Sequence, residues 1–345
     1  MLQTVSEPRP GQADAVSEAH LHAYRFMLHA RLLDDKFAAL YRAGKIHGGV
    51  FLGRGQEAVS AAIGVSLKKT DVFAPLIRDA AGRLAFGETT LDAVRTYLGS
   101  SLGPMRGRDG NVHRGRPQEG YLPMISHLGA MISVVNGVLF ARRMKGISGT
   151  VGAACLGDGA TSTGAFHEAL NQAAVEKLPL VLVVADNQYA YSTPTTSQFA
   201  CESLADRAVG YGVGCHTVDG TDLSACLKII GGAISGARSG NGPQLVVAKL
   251  LRLCGHGEHD DSNYIVPELK NSSLGRDCLK VAEEILLRQK WSDAATLAVW
   301  RSEIVREIEE AVAQVQREPA PDPFTENWSA VSSEHLRETH EENGN

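Results

Sequence analysis

Two oxygen-bearing side chains each close an apolar run: Asp158 within Leu156-Gly157-Asp158-Gly159-Ala160, and Asn187 within Ala185-Asp186-Asn187-Gln188-Tyr189. They stand 29 positions apart, which is the room one strand-helix-strand unit needs. The pieces read off in order: an apolar run from Val151 to Leu156, a glycine turn, a helix from about Gly164 to Lys177, then Pro179 and the apolar run Leu180 to Ala185. The expected fold is therefore α/β, an open and mainly parallel sheet flanked by helices. Both oxygen donors then sit at the carboxyl ends of parallel strands, where such sheets bind ligands.

The residue types suit a hard cation beside a phosphate. Magnesium takes oxygen ligands in an octahedron, with one or two from protein and the rest from phosphates and water. Asp158 offers a carboxylate, Asn187 an amide oxygen, and the carbonyl of Tyr189 a third position. Gly157 and Gly159 leave the backbone open to close approach, and Ala160 onward is expected to open a helix whose free N–H groups favour an anion. Gly-Asp-Gly is by itself also a plain turn after a strand. The Asn at a second strand end is what raises it above that.

The run from Gly157 to Pro194, GDGATSTGAFHEALNQAAVEKLPLVLVVADNQYAYSTP, resembles the thiamine-diphosphate motif in the alpha chains of 2-oxo acid dehydrogenases, the group that acts on pyruvate, branched-chain 2-oxo acids and acetoin. Further matches follow in family order from about residue 25 to about residue 325. They are Gly55-Gln56-Glu57-Ala58, Ile77-Arg78-Asp79-Ala80-Ala81-Gly82, Gly107-Arg108-Asp109-Gly110-Asn111-Val112-His113 and Leu251-Arg252-Leu253-Cys254-Gly255-His256. The resemblance implies a thiamine-diphosphate-binding fold. It implies Asp158, Asn187 and the carbonyl of Tyr189 as magnesium ligands, and Gly157, Gly159 and Ala160 as the diphosphate cradle. It sets Arg78 and Arg252 near the diphosphate, the backbone of Ser126 and Leu128 against the aminopyrimidine ring, and His256 facing the reacting carbon. A histidine there is expected to titrate near neutrality and so to give or take a proton.

Four departures stand out. Asp186-Asn187 replaces the usual Asn-Asn, Ile77 a common Tyr, Ala80 the His of many pyruvate-type members, and Gly257 a Ser that animal members phosphorylate. The Ala80 and Gly82 pattern is closer to branched-chain members. The function implied is the alpha subunit of a decarboxylase component that uses thiamine diphosphate and Mg2+ on a small 2-oxo acid and passes the acyl group to a lipoyl-bearing acyltransferase. An acetoin dehydrogenase alpha chain and an inactive cofactor-binding scaffold are the alternatives. The family carries its activating glutamate on a separate beta chain, so an α2β2 assembly is expected.

Other classes fit less well. No GxGxxG opens a strand-helix unit around Gly157, which argues against a dinucleotide fold. His256-Gly257-Glu258-His259-Asp260-Asp261 lacks the spacing of a helical zinc motif. A net charge of −5 gives no support to nucleic-acid or acidic-membrane binding, and no apolar stretch of about 20 residues suggests a span. Met1 to Asp14 is polar, without the apolar core of a signal peptide, so the cytoplasm is the expected location. Six cysteines form no CxxC pair and read as reduced and structural.

The expected organisation is an N-terminal extension over 1–20, one catalytic domain over 21–325, and a polar tail over 326–345. Leu21, Tyr24, Leu28 and Leu32 near one end, and Trp300, Ile304, Ile308 and Val312 near the other, recur at helical spacing and read as packing faces. Leu245 to Leu251 reads as a strand that delivers His256 to a loop.

Overall fold

The computed structural model describes residues 12–110 and 113–326. The strands are β1 Val72–Ala74, β2 Gly152–Gly157, β3 Leu180–Asp186, β4 Tyr189–Ala190, β5 Thr193–Pro194, β6 Gly214–Asp219 and β7 Gln244–Lys249. Five of them form one sheet in the order β1-β2-β3-β7-β6, every neighbouring pair parallel, while β4 and β5 make a two-residue antiparallel pair.

The sheet is covered on both faces, as the apolar interiors of its central strands require. All seven residues of β3 are buried. Side chains alternate across a strand. Val181, Val183, Val246 and Ala248 accordingly enter one core with the helices Glu57–Ser66 and Leu223–Arg238. Leu180, Leu182, Val184, Leu245 and Val247 enter a second with the helices Ala130–Met144 and Gly164–Val175. Continuous Val and Leu runs of this kind are what a doubly covered parallel sheet requires.

Between β2 and β3 the structure corrects one expectation. Ala160 does not open an α-helix: Asp158–Ser162 is a 3-10 turn, and Thr163 is extended. Thr163 stays extended because its hydroxyl caps the helix that follows, accepting from the Phe166 N–H at 3.4 Å. That helix runs Gly164–Val175 and buries Phe166, Ala169, Leu170 and Ala173, with Glu168 and Gln172 exposed. It stops before Lys177, which turns the chain at a positive φ of 49°.

The long helix Gln12–Arg42 and the helix Ala294–Val315 pack in the same core, burying Tyr24, Leu28, Ile304, Ile308 and Val312. The first of these helices runs straight through residue 20, where the N-terminal extension was expected to end. His20 is itself buried, its ring nitrogen 2.8 Å from the Ser224 hydroxyl. The expected polar tail lies outside the described residues except for Glu326. Strand β7 ends earlier than the apolar run suggested, since Leu250 and Leu251 leave the ladder to bond Asp186 and Leu274. All six cysteines are free; Cys215 on β6 is exposed, and Cys155, Cys226 and Cys278 are buried. Among the described residues no helix is long and apolar enough to cross a membrane.

Candidate functional site

Register fixes the relation of the two oxygen donors. Gly157 pairs with Ala185, so Asp158 leaves β2 level with Asp186, the last residue of β3, and Asn187 follows at once. All three side chains are buried. Asp158 Oδ2 accepts from Gln198 Nε2 at 2.7 Å, and Asn187 Nδ2 donates to Gln56 Oε1 at 2.8 Å. The second amide atom of each glutamine, Gln198 Oε1 and Gln56 Nε2, is buried without a partner. Orphaned buried polar atoms cost ~1–3 kcal/mol each, and two of them beside the same pair mark a place built for a polar ligand.

The carboxylates tell the same story. Burial raises Asp158 above the usual range. Burial, and after it the charge of Asp158, pushes Asp186 up to about 6. Arg252 draws Asp158 down and Lys249 draws Asp186 down, but burial outweighs both, and a divalent ion would offset the remaining cost. Among the described residues no group of three or more His, Cys, Asp or Glu converges, so an ion here would draw on amide and carbonyl oxygens as well.

Beyond β3 the chain turns sharply. Gln188 and Tyr191 hold φ of 75° and 55°, a region uncommon for side chains other than glycine, Asn and Asp. Arg252 fixes this turn. It is almost wholly buried and donates to the carbonyls of Tyr189 at 3.2 Å, Tyr191 at 2.8 Å and Cys254 at 3.1 Å, and to the Tyr264 hydroxyl at 2.5 Å. The third expected oxygen donor, the Tyr189 carbonyl, is thus held by a cation already. The close packing also gives Gly159 a reason the sequence did not show: a Cβ there would lie 2.5 Å from the Ala190 Cβ. A Cβ on Gly157 would meet nothing within 4 Å, so that glycine faces open space.

Arg78 is the second buried guanidinium. It donates to the Leu52 carbonyl at 2.7 Å and to the His256 carbonyl at 2.5 Å, and its Nη2 lies 3.5 Å from His256 Nδ1. Neither Arg78 nor Arg252 pairs with a carboxylate, whereas the other buried arginines do: Arg83 and Arg114 both grip Glu88. Burial, helped by Arg252, brings Arg78 down to about 10. Two buried cations that stand outside any ion pair make a strong anion site.

His256 reports the same field. Its ring packs against Phe51 at 5.4 Å and Tyr191 at 4.5 Å between centroids, and its backbone N–H donates to Asp260 Oδ2 at 2.5 Å. Burial, then Arg78, then Arg252 push the imidazole down to about 4. In this chain alone it is neutral at pH 7, which corrects the expectation of titration near neutrality. Asp260 also accepts from Ser262 and Tyr264, so its carboxylate is spent on shaping the loop.

Ser126, Leu128, Gly157, Ala160 and His256 meet around one cavity of about 240 Å³, with Ile77 in its wall. Asp158, Asn187, Tyr189 and Arg252 form the polar cluster behind it, joined through Tyr191 to His256. Leu128 is 60% exposed, so one side of the cavity is uncovered by this chain. Sequence reasoning missed Gln198, Phe51, Tyr191 and Tyr264. Gln56 lay inside a quoted motif, yet nothing in that motif assigned it a partner 131 positions away.

The model of the family described as dehydrogenase E1 component matches residues 24–324. The chain is 33% identical over 307 residues to the alpha subunit of acetoin:2,6-dichlorophenolindophenol oxidoreductase of Cupriavidus necator, covering 89% of this chain and 92% of that one. It is 30% identical over 315 residues to the pyruvate dehydrogenase E1 component subunit alpha of Rhizobium meliloti, with 90% and 89% covered. To the 2-oxoisovalerate dehydrogenase subunit alpha of Bacillus subtilis it is 35% identical over 246 residues, with 70% and 73% covered. With the family model spanning nearly all of the described sheet and helices, the chain belongs to the dehydrogenase E1 component family, among the alpha subunits of the thiamine-diphosphate-dependent 2-oxo acid dehydrogenase group.

Proposed function

We propose that this chain holds the diphosphate of thiamine diphosphate and a magnesium ion, and with a beta subunit decarboxylates a small 2-oxo acid and delivers the acyl group to a lipoyl-bearing acyltransferase. The observation that carries the reading is a pairing of incomplete neutralisation among the described residues: two buried arginines that form no ion pair with a carboxylate, and two buried aspartates that form no ion pair and stay raised by burial despite Arg252 and Lys249 nearby. A magnesium diphosphate answers both.

Asp158, Asn187 and the Tyr189 carbonyl would ligate the ion, with Gln56 and Gln198 orienting the first two. Arg78 and Arg252 would neutralise the diphosphate, and the open backbone at Gly157 with the turn through Gly159 and Ala160 would face it. Thiamine diphosphate, when bound, supplies the carbanion and the electron sink that carbon dioxide loss needs. His256, which lines the cavity and whose pKa is pushed down to about 4, would act there as a neutral imidazole and proton acceptor at pH 7. Anionic charge bound beside Arg78 and Arg252 would lift its pKa back towards the working range, so the bound enzyme has a better proton donor than the empty one.

The Ala80 and Gly82 pattern is closer to branched-chain members, which favours a branched aliphatic acyl group over acetyl. A relative named for acetoin matches this chain nearly end to end, which keeps acetoin as the second reading. Leu128, Val134, Phe140 and Met144, on and beside one exposed helix next to the cavity, form the face we assign to the beta subunit. The deciding experiment is a steady-state assay of the reconstituted αβ pair with pyruvate, 3-methyl-2-oxobutanoate and acetoin, using an artificial electron acceptor. The highest kcat/KM is expected for 3-methyl-2-oxobutanoate. Turnover of none of the three, with thiamine diphosphate bound, would make the chain a scaffold.

A further inference from the structure

Asp34, on the helix Gln12–Arg42, is a buried carboxyl that the proposed chemistry leaves unused. Among the described residues it stands in no ion pair: the two arginines that draw it down, Arg83 and Arg31, are committed to Glu88 and to Glu57 with Asp277. Burial accordingly pushes it up to about 7, against the hydrogen bond it accepts. That bond comes from the Gly53 N–H, 2.7 Å from Oδ2, at the short end of the range for such pairs. An acid kept in the core without a cation is costly, and what it fixes is the segment from Val50 to Arg54.

This segment braces the site through the carbonyls of alternate residues. Val50 accepts from the Glu258 N–H at 2.8 Å, Leu52 from Arg78 Nη1 at 2.7 Å, and Arg54 from the Leu253 N–H at 3.1 Å. Phe51 adds the ring that packs on His256 and lines the cavity. Arg78 and the loop from Leu253 to Glu258 thus share one support. The fit leaves no slack, because Gly53 is buried and a Cβ on it would run into the Arg78 carbonyl. Asp34 holds the N–H of this central residue from the helix behind.

We infer that Asp34 is a positioning residue: by accepting from Gly53 it holds the Val50 to Arg54 segment where Leu52 fixes Arg78 and Phe51 packs on His256, and so readies both groups for the cofactor. The choice of ligand rests on the thiamine-diphosphate reading above; the placing of Arg78 and His256 does not. Without the acceptor, the Gly53 N–H is buried and unpaired, and the segment shifts to find a partner. Arg78 then loses its carbonyl brace, and the His256 ring loses part of its cover. Burial is the first cause that keeps His256 low and Arg78 the second, so both changes raise it.

The test compares two variants in the reconstituted αβ assembly. Asp34→Asn keeps an oxygen that accepts from Gly53 but carries no charge, whereas Asp34→Leu fills the same space and accepts nothing; Asp34→Ala replaces Asp34→Leu if that variant does not fold. The first readout needs no cofactor: an NMR titration of histidine-labelled alpha chain. The His256 pKa rises by about 1 unit or more in Asp34→Leu and stays low in Asp34→Asn. The second is calorimetry with magnesium and thiamine diphosphate, where Kd weakens about tenfold in Asp34→Leu, the scale of one well-placed hydrogen bond, and less than about threefold in Asp34→Asn. Thermal melting tracks folding separately, since any core defect lowers it. In a folded Asp34→Leu assembly, a His256 pKa or a Kd that matches the unmodified protein makes Asp34 a core anchor and overturns the inference. Asp34→Asn behaving like Asp34→Leu overturns it too, because charge and not the hydrogen bond would then be responsible. If the unmodified assembly binds no thiamine diphosphate, the cofactor reading fails and the histidine titration alone decides the role of Asp34.

Discussion

Replacing Arg78 by Met removes the nearest cation from His256 and keeps a side chain long enough to fill the slot between Leu52 and the His256 loop. His256 is pushed down to about 4. Against a free value of ~6.5 that gap is worth ~3 kcal/mol between the protonation states. Burial is the larger cause and Arg78 the next. Two point charges at such a separation in an effective dielectric of about 20 would interact by ~5 kcal/mol, more than the whole gap. The guanidinium charge is delocalised and the imidazole half-buried, so the share assigned to Arg78 is ~1 pKa unit. Histidine-labelled alpha chain in the cofactor-free αβ assembly, titrated by NMR, measures it directly. Stability gives a second readout. The unfolded chain takes up a proton near pH 6.5 that the folded imidazole refuses until about 4, so stability is full above the upper value and is lost as pH falls through this window. Arg78→Met should lose ~1 kcal/mol less across it. A His256 pKa that stays put or falls in the variant refutes the assigned electrostatics.

Asp158→Ala should abolish magnesium-dependent binding of thiamine diphosphate by calorimetry while melting changes little, and unchanged affinity would remove Asp158 from the metal site. Asp186→Asn should be tolerated or should tighten magnesium binding, since it relieves the charge that lifts the pair. Val134→Asp puts a charge on the exposed helix face beside the cavity. It should leave the alpha chain folded but shift light scattering from the αβ assembly to separate chains, and an intact assembly would move the beta subunit to another face.

The unit that carries the oxygen donors was legible because each of its signals is local. Two fully apolar runs, Pro179 and the glycines around Asp158 were enough to set β2, β3 and the ends from which Asp158 and Asn187 emerge. The turn after β2 was not legible. Thr163 extends because its hydroxyl caps the next helix, and a capping Thr looks no different in sequence from one inside a longer helix. The partners of the site were hidden for a different reason: Gln56 reaches Asn187 across 131 positions, and Gln198 reaches Asp158 across 40. Only packing brings them together. The ionisation of His256 was hidden in the same way, since it depends on Phe51, Tyr191, Arg78 and Arg252 closing around a loop that sequence shows only as polar.

The two ends of the site differ in how much of each this chain supplies. At the charged end every donor is buried, and the arginines and aspartates are held by bonds within the chain, so that end is shaped before any ligand arrives. Such a site loses little entropy on binding but carries the cost of unpaired charge while empty. At the ring end the chain offers one wall, Ser126 to Leu128, and leaves Leu128 exposed next to the apolar helix face. A half-wall cannot exclude water, and exclusion of water is what gives buried charges their strength. We expect the beta subunit to close the cavity as well as to bring the glutamate that the family resemblance assigns to it, and its docking should strengthen every electrostatic effect described for Arg78, Arg252 and His256.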